Sequence, residues 1–236
     1  QMDQKPKPQP GGPGHENAAP AKMPEAVAKF YEAKPGFANY YFNRLNQDRV
    51  WQGFNARRDF SNFLGTWTIA GEDERGGGVE FKINDKAVAV SLPGGEVAMS
   101  VQDDLSQDAQ PIGSGGLSAA LYLWRKLLVE GPKGFGEISY LGASPLPGRP
   151  ELADCLVALH GKVEVRYYFD TATGELVALE MYSDESDDPC EISFSEPADV
   201  QGRPFPHRIE VRYGDNVFGV WKLTNIGLAT AAEVKP

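Results

Sequence analysis

Hydrophobic and polar residues alternate between residues 162 and 226, most clearly where Val163, Val165 and Tyr167 are separated by charged residues. An alternation with a period of two is typical of a β-strand that has one face toward an apolar interior and the other toward water. On this ground five strands are predicted, at residues 162–170, 175–183, 190–195, 207–213 and 217–226. Their connections are rich in Gly, Asp and Asn, which favour tight turns. The region is therefore predicted to be an antiparallel meander.

A similar pattern covers residues 65–101, where four short alternating segments are separated by turn sequences that contain Gly, Asn or Pro. This pattern predicts a second, four-stranded meander with short loops. Two further strands are predicted at residues 135–141 and 155–160.

Apolar residues at helical spacing predict three helices, over residues 23–33, 37–54 and 117–130. The second helix carries an aromatic stripe that is typical of a helix facing a core. The third has the clearest pattern, because five of its large apolar residues fall on one wide face and a Gly-Pro pair follows it.

So many strands in one antiparallel sheet curl strongly, because neighbouring strands twist relative to one another. We therefore predict an α+β fold, in which a strongly curved antiparallel sheet forms an open, incomplete β-barrel with helices covering its concave face. Residues 23–236 are predicted to form this single domain. Residues 1–22 contain five prolines among Gln, Lys and Gly and are predicted to be a disordered tether. An ordinary frayed terminus is the alternative.

The formal net charge of −10 and the pI of about 4.9 argue against nucleic-acid binding, since a phosphate backbone requires a basic surface. No run of about 18 apolar residues occurs, so no membrane-spanning segment is predicted. The three histidines lack the spacing of a metal site, and no metal or other cofactor is predicted. The two cysteines, Cys155 and Cys190, form either a disulfide, as in exported proteins, or two buried thiols.

Ser114, in a Gly-Ser-Gly-Gly turn, faintly resembles a hydrolase nucleophile. A serine-based triad also needs a histidine within hydrogen-bond reach and an acid that orients it. The candidate bases, His160 and His207, occur in strand-like segments without that context. The turn is more typical of the approach to the following helix, so no catalytic residue is predicted. A hydrolase that uses Ser114 is kept as a minor alternative.

Residues 155–226 resemble the family of exported lipoprotein carriers and their relatives, which includes LolA, LolB and the MucB-type regulators of envelope stress. Three segments carry the resemblance, namely the strand end and turn at Tyr168–Leu176, the Gly- and Pro-containing segment Val200–Ile209, and the turn at Gly214–Val217. The order helix, meander, helix, meander agrees with the same family.

A narrower resemblance involves Asn39–Leu45 together with Trp124–Gly131, which are similar to C-terminal regions appended to exported trypsin-like bacterial proteases. That similarity implies an accessory domain of such a protease, and the sequence contains no Gly-Asn-Ser-Gly-Gly-Pro motif of the protease itself. Both resemblances imply a periplasmic or secreted protein of the bacterial envelope.

The lipoprotein-carrier resemblance implies a concave apolar groove that receives acyl chains or, in the regulators, a partner protein or a misfolded segment. The sequence departs from the carrier in its strong acidity, so the transfer of lipoproteins itself is not predicted. We predict a non-catalytic protein that binds a lipid, an acyl chain or an apolar peptide, with other exported proteins as further partners. The residues expected to line the groove are Trp67, Phe81, Val90, Met99, Tyr167, Leu179, Phe194, Val211 and Trp221. The alternative is a protein-interaction or structural accessory domain with a filled core and no ligand.

Overall fold

The computed structural model describes residues 23–101, 105–106, 116–184 and 188–231 of the chain. The predicted tether at residues 1–22 and the candidate nucleophile Ser114 lie outside the described residues. The chain divides into two compact units, Gln1–Phe42 and Asn43–Pro236, and each is described by itself. That residues 23–236 form a single domain stays a prediction.

Helix α1 (Glu25–Ala28), in the first unit, is much shorter than the helix predicted over residues 23–33. All four of its residues are exposed, so extending it would bury no apolar face. The segment that follows α1 is held as a loop by Asn39. The Asn39 side chain accepts a hydrogen bond from the N–H of Glu32 at 3.1 Å and donates one to the carbonyl of Phe30 at 2.8 Å.

The second unit is built on one antiparallel sheet, which has eleven strands in the described residues. The strands are β1 (Trp67–Glu72), β2 (Gly78–Ile83), β3 (Ala87–Leu92), β4 (Gly95–Ser100), β5 (Glu137–Ser144), β6 (Ala153–His160), β7 (Val163–Asp170), β8 (Leu176–Tyr182), β9 (Cys190–Val200), β10 (Arg203–Tyr213) and β11 (Asn216–Leu228). Their spatial order is β4-β3-β2-β1-β11-β10-β9-β8-β7-β6-β5. The pairing of β1 with β11 joins the two meanders. In the described part of the chain β4 and β5 end this order and do not pair with each other, so the sheet stays open.

Helix α3 (Leu117–Glu130) has the predicted bounds, and every residue in it except Lys126 and Glu130 is buried. It packs against β2, β3 and β4 and also against β8 and β9. Strands β3 and β8 are six places apart in the sheet, which corresponds to about 29 Å in a flat sheet at about 4.8 Å per strand. A sheet that curls around the helix brings both strands within its reach. The predicted α+β fold, with an open, strongly curved sheet and a helix on its concave face, is confirmed.

The helix predicted over residues 37–54 forms as helix α2, with the bounds Tyr40–Asn55. A 3₁₀ turn at Pro132–Gly134 follows α3. Within the second unit, Arg49 of this helix donates two hydrogen bonds of 2.9 Å to the Asp154 carboxylate on β6. The hydroxyl of Tyr140 on β5 donates to the same carboxylate at 2.8 Å. These bonds tie the helix to the β5–β6 end of the sheet.

Two apolar clusters lie on opposite faces of the sheet. The larger surrounds α3 on the concave side, and the smaller consists of Leu146, Ala153, Cys155, Tyr168, Val177 and Ala178. Cys155 belongs to the smaller cluster and Cys190 to the larger, and both are free thiols. Burial raises the pKa of each thiol to about 12, which keeps it protonated near neutral pH. The cysteines are therefore two buried thiols and not a disulfide.

Strands β9 and β10 run beyond their predicted ends, so the loop predicted between residues 195 and 207 is wrong. This hairpin turns at Gln201 and Gly202, whose φ angles of 53° and 82° suit a two-residue type I′ turn. Prolines lie at 197, 204 and 206 in this part of the hairpin, although proline cannot donate a hydrogen bond within a sheet. They are tolerated because, among the described strands, this end of the hairpin pairs only with itself.

Candidate functional site

A half-open pocket of about 220 Å³ lies in the second unit, between α3 and the end of the β9–β10 hairpin. The turn after α2, the start of β8 and the connection between β5 and β6 complete its walls. Its apolar lining residues are Phe54, Phe60, Trp124, Leu128, Leu176, Val177, Phe194, Pro197, Pro204, Phe205 and Pro206. Its polar lining residues are Arg58, Arg149, Glu175, Ser195 and Glu196. Most of the wall is therefore hydrocarbon, with a few charged groups among it.

Packed aromatic rings form one wall of the pocket. Trp124 of α3 stacks on Phe194 of β9, with ring centroids 4.9 Å apart and an interplanar angle of 24°. Phe205 of β10 lies 5.3 Å from Trp124 and 5.9 Å from Phe60. Behind them the indole N–H of Trp67 donates to the carbonyl of Phe63 at 2.9 Å. Because these rings hold one another in place, the wall is preformed before any ligand arrives.

An ion pair also lines the pocket. Nη2 of Arg58 contacts Oε1 of Glu175 at 2.6 Å, and the Arg58 side chain is only 6% exposed. Its guanidinium carbon lies 5.7 Å from the centre of the Phe54 ring. Nη1 of Arg58 is buried and has no hydrogen-bond partner among the described residues. The pocket lining thus contains a buried cation whose hydrogen-bonding capacity is only partly used.

The turn between β7 and β8 places Glu175 opposite Arg58. Asp170 opens this turn, and its Oδ1 accepts hydrogen bonds from the backbone N–H groups of Ala172 and Thr173, which help to lower the pKa of the Asp170 carboxyl. Gly174 has a φ of +69°, and a Cβ on it would lie 2.9 Å from the backbone of Gly53 in α2. Only glycine allows the two backbones to approach this closely. Glu175 follows at once and is fixed beside the end of α2.

A second ion pair lies at the pocket's edge. Nη2 of Arg149 contacts Oδ2 of Asp170 at 2.7 Å, with side chains that are 36% and 15% exposed. Glu196 is exposed and has a φ of 54°, which places it at a distortion in β9. The charged groups of the rim are therefore close to balanced.

All nine residues predicted to line a groove are buried in the cluster on the concave side of the sheet. Phe194 is the one of these nine that lines the pocket. Trp67 lies behind the aromatic wall, 5.9 Å from both Trp124 and Phe205. A ligand-binding role for the nine stays a prediction. The other lining residues were not predicted from the sequence. The cluster of prolines around Phe205 was the one sequence feature that could have pointed to them.

No group of three or more His, Cys, Asp and Glu side chains suited to a metal ion occurs among the described residues. In the same part of the chain, none of the helices has the length and apolar character needed to cross a bilayer.

The chain was compared with known families, proteins and solved structures. No family model matches the chain, and no curated protein matches it either. The chain is similar to the crystal structure of a LolA superfamily protein from Nitrosomonas europaea, with a TM-score of 0.46 and 12% identity over 77% of this chain and 93% of that one. It is also similar to a Vibrio parahaemolyticus domain described as an outer membrane lipoprotein-sorting protein, with a TM-score of 0.43 and 9% identity over 80% and 95% of the two chains.

Proposed function

We propose that the protein is a non-catalytic binding protein that holds a hydrocarbon chain, as part of a lipid or another acylated molecule, in the pocket between α3 and the β9–β10 hairpin. The observation that carries this proposal is the preformed apolar lining of the pocket, with Trp124, Phe194 and Phe205 on one side and Leu128 and Leu176 beside them. Burying hydrocarbon against such a surface is favourable by about 25 cal/mol per Å².

The size of the pocket favours a slender ligand. Its volume of about 220 Å³ exceeds the roughly 150 Å³ of an apolar cavity that binds benzene, and it lies below the range of about 300–1,000 Å³ that holds a drug-sized molecule. One chain end fits this space better than a bulky apolar peptide. Because the pocket is open on one side, the rest of the ligand would remain outside it.

Two parts of the wider hypothesis rest on the sequence alone. A periplasmic or secreted location and a role with other exported proteins come from the resemblance of residues 155–226 to exported carriers. The accessory domain with a filled core is not preferred, because the pocket leaves apolar side chains facing open space.

Binding is tested with N-phenyl-1-naphthylamine, a fluorescent probe that brightens in apolar sites, and with 1-O-dodecylglycerol as the competing ligand below its micelle concentration. We expect saturable fluorescence and full displacement by the competitor. Leu176→Trp fills the pocket from a half-exposed position. It is expected to weaken the binding of the probe and the binding of the competitor by about tenfold or more each.

Leu141→Trp is the matched control, because Leu141 is 59% exposed on β5 and does not line the pocket. It is expected to bind the probe as the unmodified chain does. Equal losses in the two variants, or no saturable binding by the unmodified chain, would contradict the proposed function.

A further inference from the structure

The two ends of the sheet differ in how their outer edges are covered. At the β5 end, Asn43 of α2 takes the place of a neighbouring strand for Tyr140. Its carboxamide donates to the Tyr140 carbonyl at 2.8 Å and accepts from the Tyr140 N–H at 3.0 Å. The free part of the β9–β10 hairpin carries the prolines at 197, 204 and 206, which offer no N–H to a further strand. In the described part of the chain, β4 ends the sheet without either protection.

The hydrogen bonds beside β4 show which of its backbone groups are unused. The N–H of Val101 donates to the carbonyl of Lys86 at 2.7 Å. Antiparallel neighbours alternate between pairs that exchange hydrogen bonds and pairs that do not. By this alternation the N–H and C=O groups of Glu96, Ala98 and Ser100 point away from β3. All three residues are exposed, and no second described strand pairs with them. Such an unpaired row of donors and acceptors is a template for another strand.

A second copy of the chain fits this edge in one antiparallel register. With a twofold axis at Ala98, the unused groups of the two copies face each other and can form about six hydrogen bonds. Each Glu96 then lies opposite Ser100 of the other copy, and each Val97 lies opposite Met99, so no like charges are directly paired. A register centred on Glu96 would instead bring two carboxylates together.

We propose that β4 is a dimerisation edge, through which two copies pair antiparallel about Ala98 and join their sheets into one. Asn43 occupies the β5 edge at the other end of the sheet, so the association closes as a dimer and does not continue into a fibre. No residue of β4 is among the described lining residues of the pocket, so this inference is independent of the proposed function.

Sedimentation velocity of the full chain, from low micromolar to near-millimolar concentration, tests the association. The ionic strength is set to about 0.15 M, because salt screens the repulsion between two copies that each carry a net charge of −10. We expect the mass to rise with concentration from 25.7 kDa toward twice that value. A chain that stays monomeric throughout overturns the inference.

A charge exchange at Ala98 tests the edge and its register. Ala98→Lys and Ala98→Glu each place like charges opposite each other at the twofold axis, and each alone is expected to associate about fivefold more weakly. An equimolar mixture of the two variants is expected to restore the association as a heterodimer. Ala89→Lys is the matched control, because Ala89 lies beside Ala98 on β3, one strand away from the edge. It is expected to associate as the unmodified chain does.

Ala98→Pro removes the central outward N–H of each copy and leaves the bonds between β3 and β4 in place. It is expected to weaken the association by about tenfold or more, whereas Ala98→Val, which keeps the N–H, is expected to retain it. Circular dichroism establishes that each variant is folded, and the charge exchange decides if Ala98→Pro is not. A dimer that the lysine and glutamate variants leave intact, a mixture that does not restore it, or an equal loss in Ala89→Lys overturns the inference.

Discussion

Replacing Arg125 is expected to destabilise the protein more than any change to an exposed arginine. Arg125 lies in α3 and is 3% exposed. Its Nη2 donates to the backbone carbonyls of Leu64 at 2.7 Å and Gly65 at 2.9 Å, with a longer contact to Phe63 at 3.4 Å. Burial lowers the pKa of the guanidinium. Arg125 thus fixes the segment that links α2 to β1, and this segment carries Phe60 into the pocket wall.

The size of the effect follows from the bonds that are lost. Arg125→Met leaves at least two carbonyls without their donor, and each short hydrogen bond from a charged group contributes about 1.5–3 kcal/mol. Relief from burying the charge offsets part of this loss. We expect the free energy of unfolding to fall by about 3 kcal/mol. Arg125→Lys keeps one charged donor but not the fork and is expected to lose about half as much.

Urea denaturation followed by tryptophan fluorescence measures the change, and Arg57→Met is expected to stay within about 0.5 kcal/mol of the unmodified chain. Probe binding at low urea gives a second reading, because a loosened Phe60 weakens the pocket wall. An Arg125→Met variant within about 1 kcal/mol of the unmodified chain would refute the reasoning.

Two further changes test other parts of the second unit. Asp154→Ala is expected to cost about 2 kcal/mol at pH 7 because it leaves Tyr140 and Arg49 without their acceptor. The hydrogen bonds from Arg49 lower the pKa of Asp154, so this stabilisation is present above the ordinary Asp pKa and is lost as the pH falls through the folded-state value. Urea melts at pH 7 and pH 3 should show a smaller difference at the lower pH, and an equal difference would contradict the assignment. Gly174→Ala is expected to cost about 2 kcal/mol or more, since it combines a left-handed backbone with a Cβ only 2.9 Å from the Gly53 backbone. Gly148→Ala is its control, with a φ of +74° and nothing within 4 Å, so equal melting curves for the two variants would argue against the close approach.

The sheet and α3 could be predicted because their signals are local. Alternation identifies the strands, and the apolar face over residues 117–130 gives the helix its correct bounds. The end of the β9–β10 hairpin could not be predicted, because its prolines indicate a loop unless the neighbouring strands are known to stop short of it. The length of helix α1 was overestimated, because the helical spacing of apolar residues does not tell whether another surface covers their face.

The pocket lining could be predicted far less well than the fold. Alternation assigns Phe81, Val90 and Leu179 to the concave face, but it does not say where α3 already fills the space beneath them. Nothing in the local sequence separates the buried Arg58 from the exposed Arg57 before it. That difference is set by Glu175, which is 117 residues away along the chain. A site of this kind depends on long-range packing and needs coordinates.

The pocket lies beside the end of the β9–β10 hairpin, which extends past the strands beside it. Strand β8 pairs with β9 only as far as Ser193, and β11 pairs with β10 only from Arg208 onward, whereas β9 and β10 pair with each other as far as Val200 and Arg203. The turn after α2 brings Phe60 and Arg58 into part of the space beside this end and leaves the rest open. The prolines of the hairpin end thus lie in the wall of the space that a ligand would occupy.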